Sequence, residues 1–124
     1  MLPSTGMSRA EHRGFEVCLD HLAGALAANL VETARGAYFE ARRAALAHYE
    51  HEERALFTAL EPHFPGMVAK MRGQHDEARE LAGHLDNREL PEAEWMALAR
   101  RFLAIAQHNI IEEERDLFAL AGQV

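Results

Sequence analysis

The stretch His48-Tyr49-Glu50-His51-Glu52 and the later stretch His108-Asn109-Ile110-Ile111-Glu112 each set a glutamate four residues after a histidine. On an α-helix, residues four apart share a face with Cβ atoms about 5–6 Å apart, so this imidazole and carboxylate can reach one metal ion or two adjacent ones. A further histidine precedes each pair, His12 before the first and His75 before the second. His12 to His48 spans 36 residues and His75 to His108 spans 33, so the second half of the chain approximately replays the first. Pseudo-twofold symmetry would bring both sets to one level in the core of a helical bundle.

Apolar periodicity around these residues defines four helices and no strand. From about Arg9 to Leu30, His12, Phe15, Leu19, Leu22 and Leu26 recur at spacings of three and four and form one stripe. A break is predicted around Thr33 to Gly36. Tyr38, Ala41, Ala45, His48, Glu52, Leu56 and Leu60 then form the inward face of a second helix, ended by Glu61-Pro62-His63-Phe64-Pro65-Gly66. A third helix is predicted from about Met67 to Leu85, with Val68, Met71, His75, Ala78, Ala82 and Leu85 in register. After a turn at Asp86-Asn87, Pro91 suits the first turn of a fourth helix running through Trp95, Leu98, Phe102 and Ile105 towards Leu120. Short connections favour antiparallel neighbours, so the expected fold is all-α: an up-down-up-down four-helix bundle with a pseudo-twofold repeat, a single domain over residues 1–124.

Composition narrows the function. The 48% hydrophobic and 27% charged content of the 124 residues suits a globular protein with a buried core. A formal charge of -7, with Arg and Lys spread along every helix, argues against nucleic acid as a partner. No apolar run approaches the roughly 20 residues of a membrane span, and Met1 to Arg9 lacks the apolar core of a signal peptide. The single cysteine, Cys18, excludes an internal disulfide. The expected location is the cytoplasm. Apolar Phe39, Phe64 and Phe118 look exposed and are expected either to cover a homodimer interface or to fill the ends of the bundle.

Helical phase sorts the eight histidines. His12 shares the stripe of Phe15, Leu19 and Leu22, whereas His21 lies about 100° or more off it. By the same reasoning His75 is preferred over His84 and His48 over His51, and His63 belongs to the Pro-bounded turn. A lone histidine on an apolar helix face is more often a hydrogen-bonded core residue than a ligand, and His-x-x-x-Glu spacing is weak evidence, since His12/Glu16 also satisfies it. The set carries more weight: four inward histidines and two inward carboxylates in duplicated order. Burying the carboxylates unpaired would cost several kcal/mol each, and a metal cluster offsets that.

With these residues placed, the chain resembles the hemerythrin-like family, or HHE cation-binding domain. The matching passages are Glu11-His12-Arg13, His48 to Phe57, Gln74-His75-Asp76 and His108-Asn109-Ile110-Ile111-Glu112-Glu113. The resemblance implies a non-haem di-iron centre, with His12, His48, His75 and His108 as nitrogen ligands and Glu52 and Glu112 as bridging carboxylates. Two departures stand out. Oxygen-carrying members place a second histidine four residues on in the third helix, where this chain has Arg79, and that weakens the case for oxygen storage. In the fourth helix, Asn109 and Glu113 fit the stripe of Leu98, Phe102 and Leu120 better than His108 and Glu112 do. A π-bulge could reconcile the two, and Glu113 stays open as a replacement for Glu112, with Glu53 a weaker rival to Glu52.

Imidazole and carboxylate without thiolate suit iron, manganese or zinc, and the resemblance favours two iron ions, bridged by carboxylates and an oxo or hydroxo group. Cys18 lies off the His12 stripe and is not expected to be a ligand, and Tyr49 lies near the inward face beside the site. Three functions follow. The first is a metal protein that binds or senses O₂, NO or peroxide, or holds iron. The second is a di-iron oxidase or peroxidase supplied with external electrons. The third is a zinc-bound or metal-free interaction bundle whose histidines are packing residues.

Overall fold

The computed structural model describes residues 9–121 and forms an antiparallel four-helix bundle. Helix α1 is Arg9–Ala27. Helix α2 begins as Val31–Glu52, passes through a π-helical turn at Glu53–Phe57 and closes with Thr58–Leu60. Helix α3 is Pro65–Leu85. Helix α4 begins as Glu92–Glu112, passes through a second π-helical turn at Glu113–Leu117 and ends with Phe118–Ala121. There is no strand among the described residues. The expectation for Met1 to Arg9 falls on residues 1–8, outside the described residues, and on Arg9, which opens α1.

The first break falls at residues 28–30 rather than at Thr33 to Gly36. Asn29 adopts φ 55, Leu30 N–H donates to Ala25 C=O at 3.0 Å, and Asn29 N–H donates to Leu26 C=O at 3.1 Å. This is the Schellman arrangement, and asparagine tolerates its left-handed residue better than any other non-glycine type. Arg100 Nη2 adds hydrogen bonds to Leu26 C=O and to Asn29 Oδ1, at 3.2 and 2.8 Å. Thr33 and Gly36 lie inside α2, because the chain has already turned. Pro65 takes the first turn of α3, where its missing N–H costs nothing.

Two apolar clusters fill the bundle. The larger includes Phe15, Leu19, Leu22 and Leu26 of α1, Tyr38 and Tyr49 of α2, Leu81 and Leu85 of α3, and Trp95 and Phe102 of α4. The smaller joins Leu56, Phe57, Leu60, Val68, Met71 and Leu117, with Phe64 and Phe118 packed against it. Phe64 and Phe118 therefore help close one end of the bundle, the second of the two expectations for these phenylalanines, while Phe39 is exposed. Half-buried Cys18 packs against the larger cluster. Between the clusters lie buried His12, His48, Glu52, His75, Asn109 and Glu113.

In the larger cluster, the Tyr38 ring meets Trp95 and Phe102 edge-on at 5.8 and 5.4 Å, and its hydroxyl donates to Ala82 C=O at 3.3 Å. Trp95 Nε1 donates to Leu85 C=O at 3.0 Å, so this wide ring is buried with its one donor satisfied. Phe102→Ala should cost about 3–5 kcal/mol, because the helices around Phe102 cannot close over the lost ring. Urea unfolding of the metal-free variant checks this, and a loss below about 1 kcal/mol would contradict it.

Candidate metal centre

Three imidazoles and two carboxylates converge in the polar layer. His12 comes from α1, His48 and Glu52 from α2, His75 from α3 and Glu113 from α4. His48 Nε2 lies 3.2 Å from Glu52 Oε1 and 3.5 Å from Glu113 Oε1. His75 Nε2 lies 2.9 Å from Glu113 Oε2 and 3.3 Å from Glu52 Oε1. The two oxygens of Glu113 thus face different histidines, the disposition of a bridging carboxylate. Potential donor atoms of His12, His48, Glu52 and Glu113 all lie within 4.8 Å of one another.

Two histidines are oriented from behind by glutamates. His75 Nδ1 donates to Glu53 Oε2 at 2.8 Å, and His12 Nδ1 donates to Glu114 Oε1 at 3.1 Å. A carboxylate on Nδ1 fixes a proton there and turns Nε2 towards the centre, where it can coordinate once it carries no proton. Arg79 completes one of these supports through Nη2 to Glu53 Oε1 at 2.9 Å, so the residue standing where oxygen carriers have a histidine holds the carboxylate that holds His75. His75 also stacks on Tyr49 and Phe57, with centroids at 4.0 and 5.1 Å and both planes 19° from its own. His12 meets His48 at 4.9 Å and Phe118 at 5.4 Å, both edge-on.

The π-helical turns explain how the carboxylates and the smaller apolar cluster share one helix face. A strict α-helix drifts about 40° per four-residue step, so a long inward series leaves the core. A π turn accommodates one extra residue and resets the phase. In α2 it lets Glu52, Leu56, Phe57 and Leu60 all face inward, and Thr58 Oγ1 donates to Glu53 C=O at 3.1 Å within the altered turn.

In α4 the π turn begins at Glu113, too late to turn His108 and Glu112 into the core. The inward residues are Asn109 and Glu113, each 0% exposed. His108 is exposed, with Nε2 2.8 Å from Glu112 Oε1 at the bundle rim. Glu112 Oε2 also receives Lys70 Nζ at 3.0 Å and Gln74 Nε2 at 2.8 Å. His108 and Glu112 are neighbours on the helix, as their spacing requires, but on the wrong face, and Glu113 stands where Glu112 was expected. Glu53 does not replace Glu52 but holds His75 from outside. His21, His51, His63 and His84 are exposed.

Donor atoms left without partners test whether this layer suits a cation. His12 Nε2, both nitrogens of His48, both oxygens of Glu52, Glu113 Oε1 and the Tyr49 hydroxyl are buried with no hydrogen-bond partner. Orphaned polar atoms each cost roughly 1–3 kcal/mol, and a cation taking nitrogen and oxygen ligands satisfies most of these at once. The donors fit such a metal.

Electrostatics of the metal-free layer follow from the same burial. Burial lowers the His48 pKa from its ordinary 6.5 and raises that of Glu52. Burial would raise Glu113 too, but the close approach of His48, His75 and Glu52 outweighs it and holds Glu113 low. The carboxylate pair therefore retains one proton where free carboxylates have none. Burial opposes charge on His75, yet hydrogen bonds to Glu113 and Glu53 and the nearby Glu52 carboxyl outweigh it and raise His75 to about 9.

The fold and the layer together define a helical-bundle protein with a histidine–carboxylate cation site. The model of the hemerythrin HHE cation-binding domain matches residues 6–121, and the chain belongs to that family. No curated protein and no solved structure matches the chain.

Between pH 6.5, where an ordinary histidine is half deprotonated, and pH 9, the folded metal-free chain keeps protons on His75 and the carboxylate pair that the unfolded chain releases. Stability should fall across this window. Thermal unfolding after chelation checks it, with Tm expected to decrease from pH 6.5 to 9 and a rise contradicting the assignment.

Proposed function

We propose that this protein is a non-haem di-iron protein of hemerythrin type that binds or senses O₂, NO or peroxide. The observation carrying this reading is the buried layer of His12, His48, His75, Glu52 and Glu113, in which His12 Nε2, His48 Nε2, both Glu52 oxygens and Glu113 Oε1 have no hydrogen-bond partner. His12, His48 and His75 would supply nitrogens, and Glu52 and Glu113 would bridge. Bound iron would supply redox chemistry and an exchangeable position for a small ligand. Nitrogen and oxygen donors without thiolate favour iron over metals that seek sulfur.

Around that position the chain's own residues exclude bulk water and hold protons. Phe15, Tyr49, Phe57 and Phe118 pack against the imidazoles. Glu114 and Glu53 keep the His12 and His75 Nδ1 protons on the outer side. A cleft of about 360 Å³ between α1 and α4, lined by Glu16, Leu19, Asp20, Ile110, Ile111 and Glu114, touches the site's edge through Glu114. It offers room for a small molecule beside Glu114, the carboxylate that supports His12.

Iron analysis with absorption spectroscopy before and after azide tests the reading. Iron retained through purification, with near-ultraviolet and visible bands that shift on azide addition, is the expected result. Retained iron with an unresponsive spectrum would remove the ligand-binding role, and protein that takes up no iron would remove the centre.

The glutamate assignment has its own test. Glu113→Gln should weaken iron binding by about 10-fold or more, because it neutralises the carboxylate between two histidines. Glu112→Gln and His108→Ala should leave it within about 2-fold, since both act at the rim. Iron content by competition with a chelator separates the two, and the reverse ranking would restore His108 and Glu112 to the site.

A further inference from the structure

The two halves of the polar layer are matched in position but not in chemistry. His48 stands one helical turn before Glu52 in α2, and Asn109 stands one turn before Glu113 in α4. Glu53, which holds His75, corresponds to Glu114, which holds His12. The repeat thus gives α2 a histidine where α4 has an amide. His12, His48, Glu52 and Glu113 can bring donor atoms within 4.8 Å of one another, and His75 stands outside that group beside Glu52 and Glu113.

Asn109 is held as an oxygen donor. Its Nδ2 donates to Gln74 Oε1 at 2.7 Å, while Gln74 Nε2 is committed to Glu112 at 2.8 Å, which fixes the direction of both amides. Asn109 Oδ1 is then the free atom, buried and without a partner. An amide oxygen is a weaker ligand than imidazole for first-row transition metals.

Building on the metal-binding reading above, we propose that the centre loads unequally. One cation position, held by His12, His48 and both carboxylates, fills first. A second position beside His75, where Asn109 replaces an imidazole, fills only at higher metal concentration. The protein then persists in a singly loaded form over a range of metal supply, and the second cation is the exchangeable one.

The test is titration of the metal-free full-length chain with Co²⁺, followed by calorimetry and visible absorption. Wild type should bind in two steps whose Kd values differ by at least about 10-fold. Asn109→His should tighten the second step to within about 3-fold of the first and change its cobalt bands, with helicity by circular dichroism unchanged. His75→Ala should abolish the second step and leave the first, a result that decides the matter even if Asn109→His fails to fold. Two equivalents bound in one step by wild type, a folded Asn109→His with an unmoved second Kd, or loss of the first step in His75→Ala would each overturn unequal loading. No cobalt binding by wild type would overturn the metal-centre reading and unequal loading with it, whereas the other three outcomes leave a metal centre in place.

Discussion

Two carboxylates buried within hydrogen-bonding distance of the same imidazole set the terms for this bundle. Glu52 and Glu113 are each 0% exposed and both approach His75 Nε2. Removing such groups from water costs several kcal/mol each unless positive charge or hydrogen bonds compensate. In the metal-free protein compensation is partial: His75 is driven towards its protonated form, and the carboxylate pair keeps a proton. The apolar clusters on either side make no hydrogen bond to these atoms, so the unsatisfied atoms remain as a latent cation site.

Each half of the bundle solves the same positioning problem with the same parts. A histidine from α1 or α3 points its Nδ1 at the second glutamate of the opposite half's Glu-Glu pair: His12 at Glu114, and His75 at Glu53. The first glutamate of each pair, Glu52 or Glu113, turns inward. A π-helical turn follows in both helices and returns the next apolar residues to the core. One Glu-Glu dipeptide therefore supplies both an inner oxygen donor and an outer support, because adjacent helical residues diverge by about 100°.

The inward faces of α1, α2 and α3 are legible in the sequence as apolar stripes, and phase within those stripes picks out His12, His48, Glu52 and His75. Fourth-helix readings divide because two registers one residue apart both end in a glutamate. His108/Glu112 repeats the His-x-x-x-Glu spacing of His48/Glu52, and it does form an ion pair, but at the rim. Asn109/Glu113 fits the stripe, and the shared Glu-Glu-Arg-x-Leu-Phe run at residues 52–57 and 113–118 supports that register. Asparagine in place of histidine hides the match. The break after α1 escapes a reading of the sequence because its signal is a single asparagine, Asn29, in an alanine-rich run rather than a proline or glycine. Phe64 and Phe118 look exposed in sequence because their burial depends on how the helix ends meet, which periodicity along one helix does not encode.

The stacking of His75 between Tyr49 and Phe57 bears on the entropy of coordination. A free imidazole gives up rotamer freedom when it binds a cation, and that loss subtracts from affinity. For His75, ring contacts on two sides and the Glu53–Arg79 support already restrict that freedom in the folded protein. The ordering cost belongs to folding and not to metal capture. What affinity is forgone through the amide of Asn109 is thus partly returned by a histidine that arrives already in place.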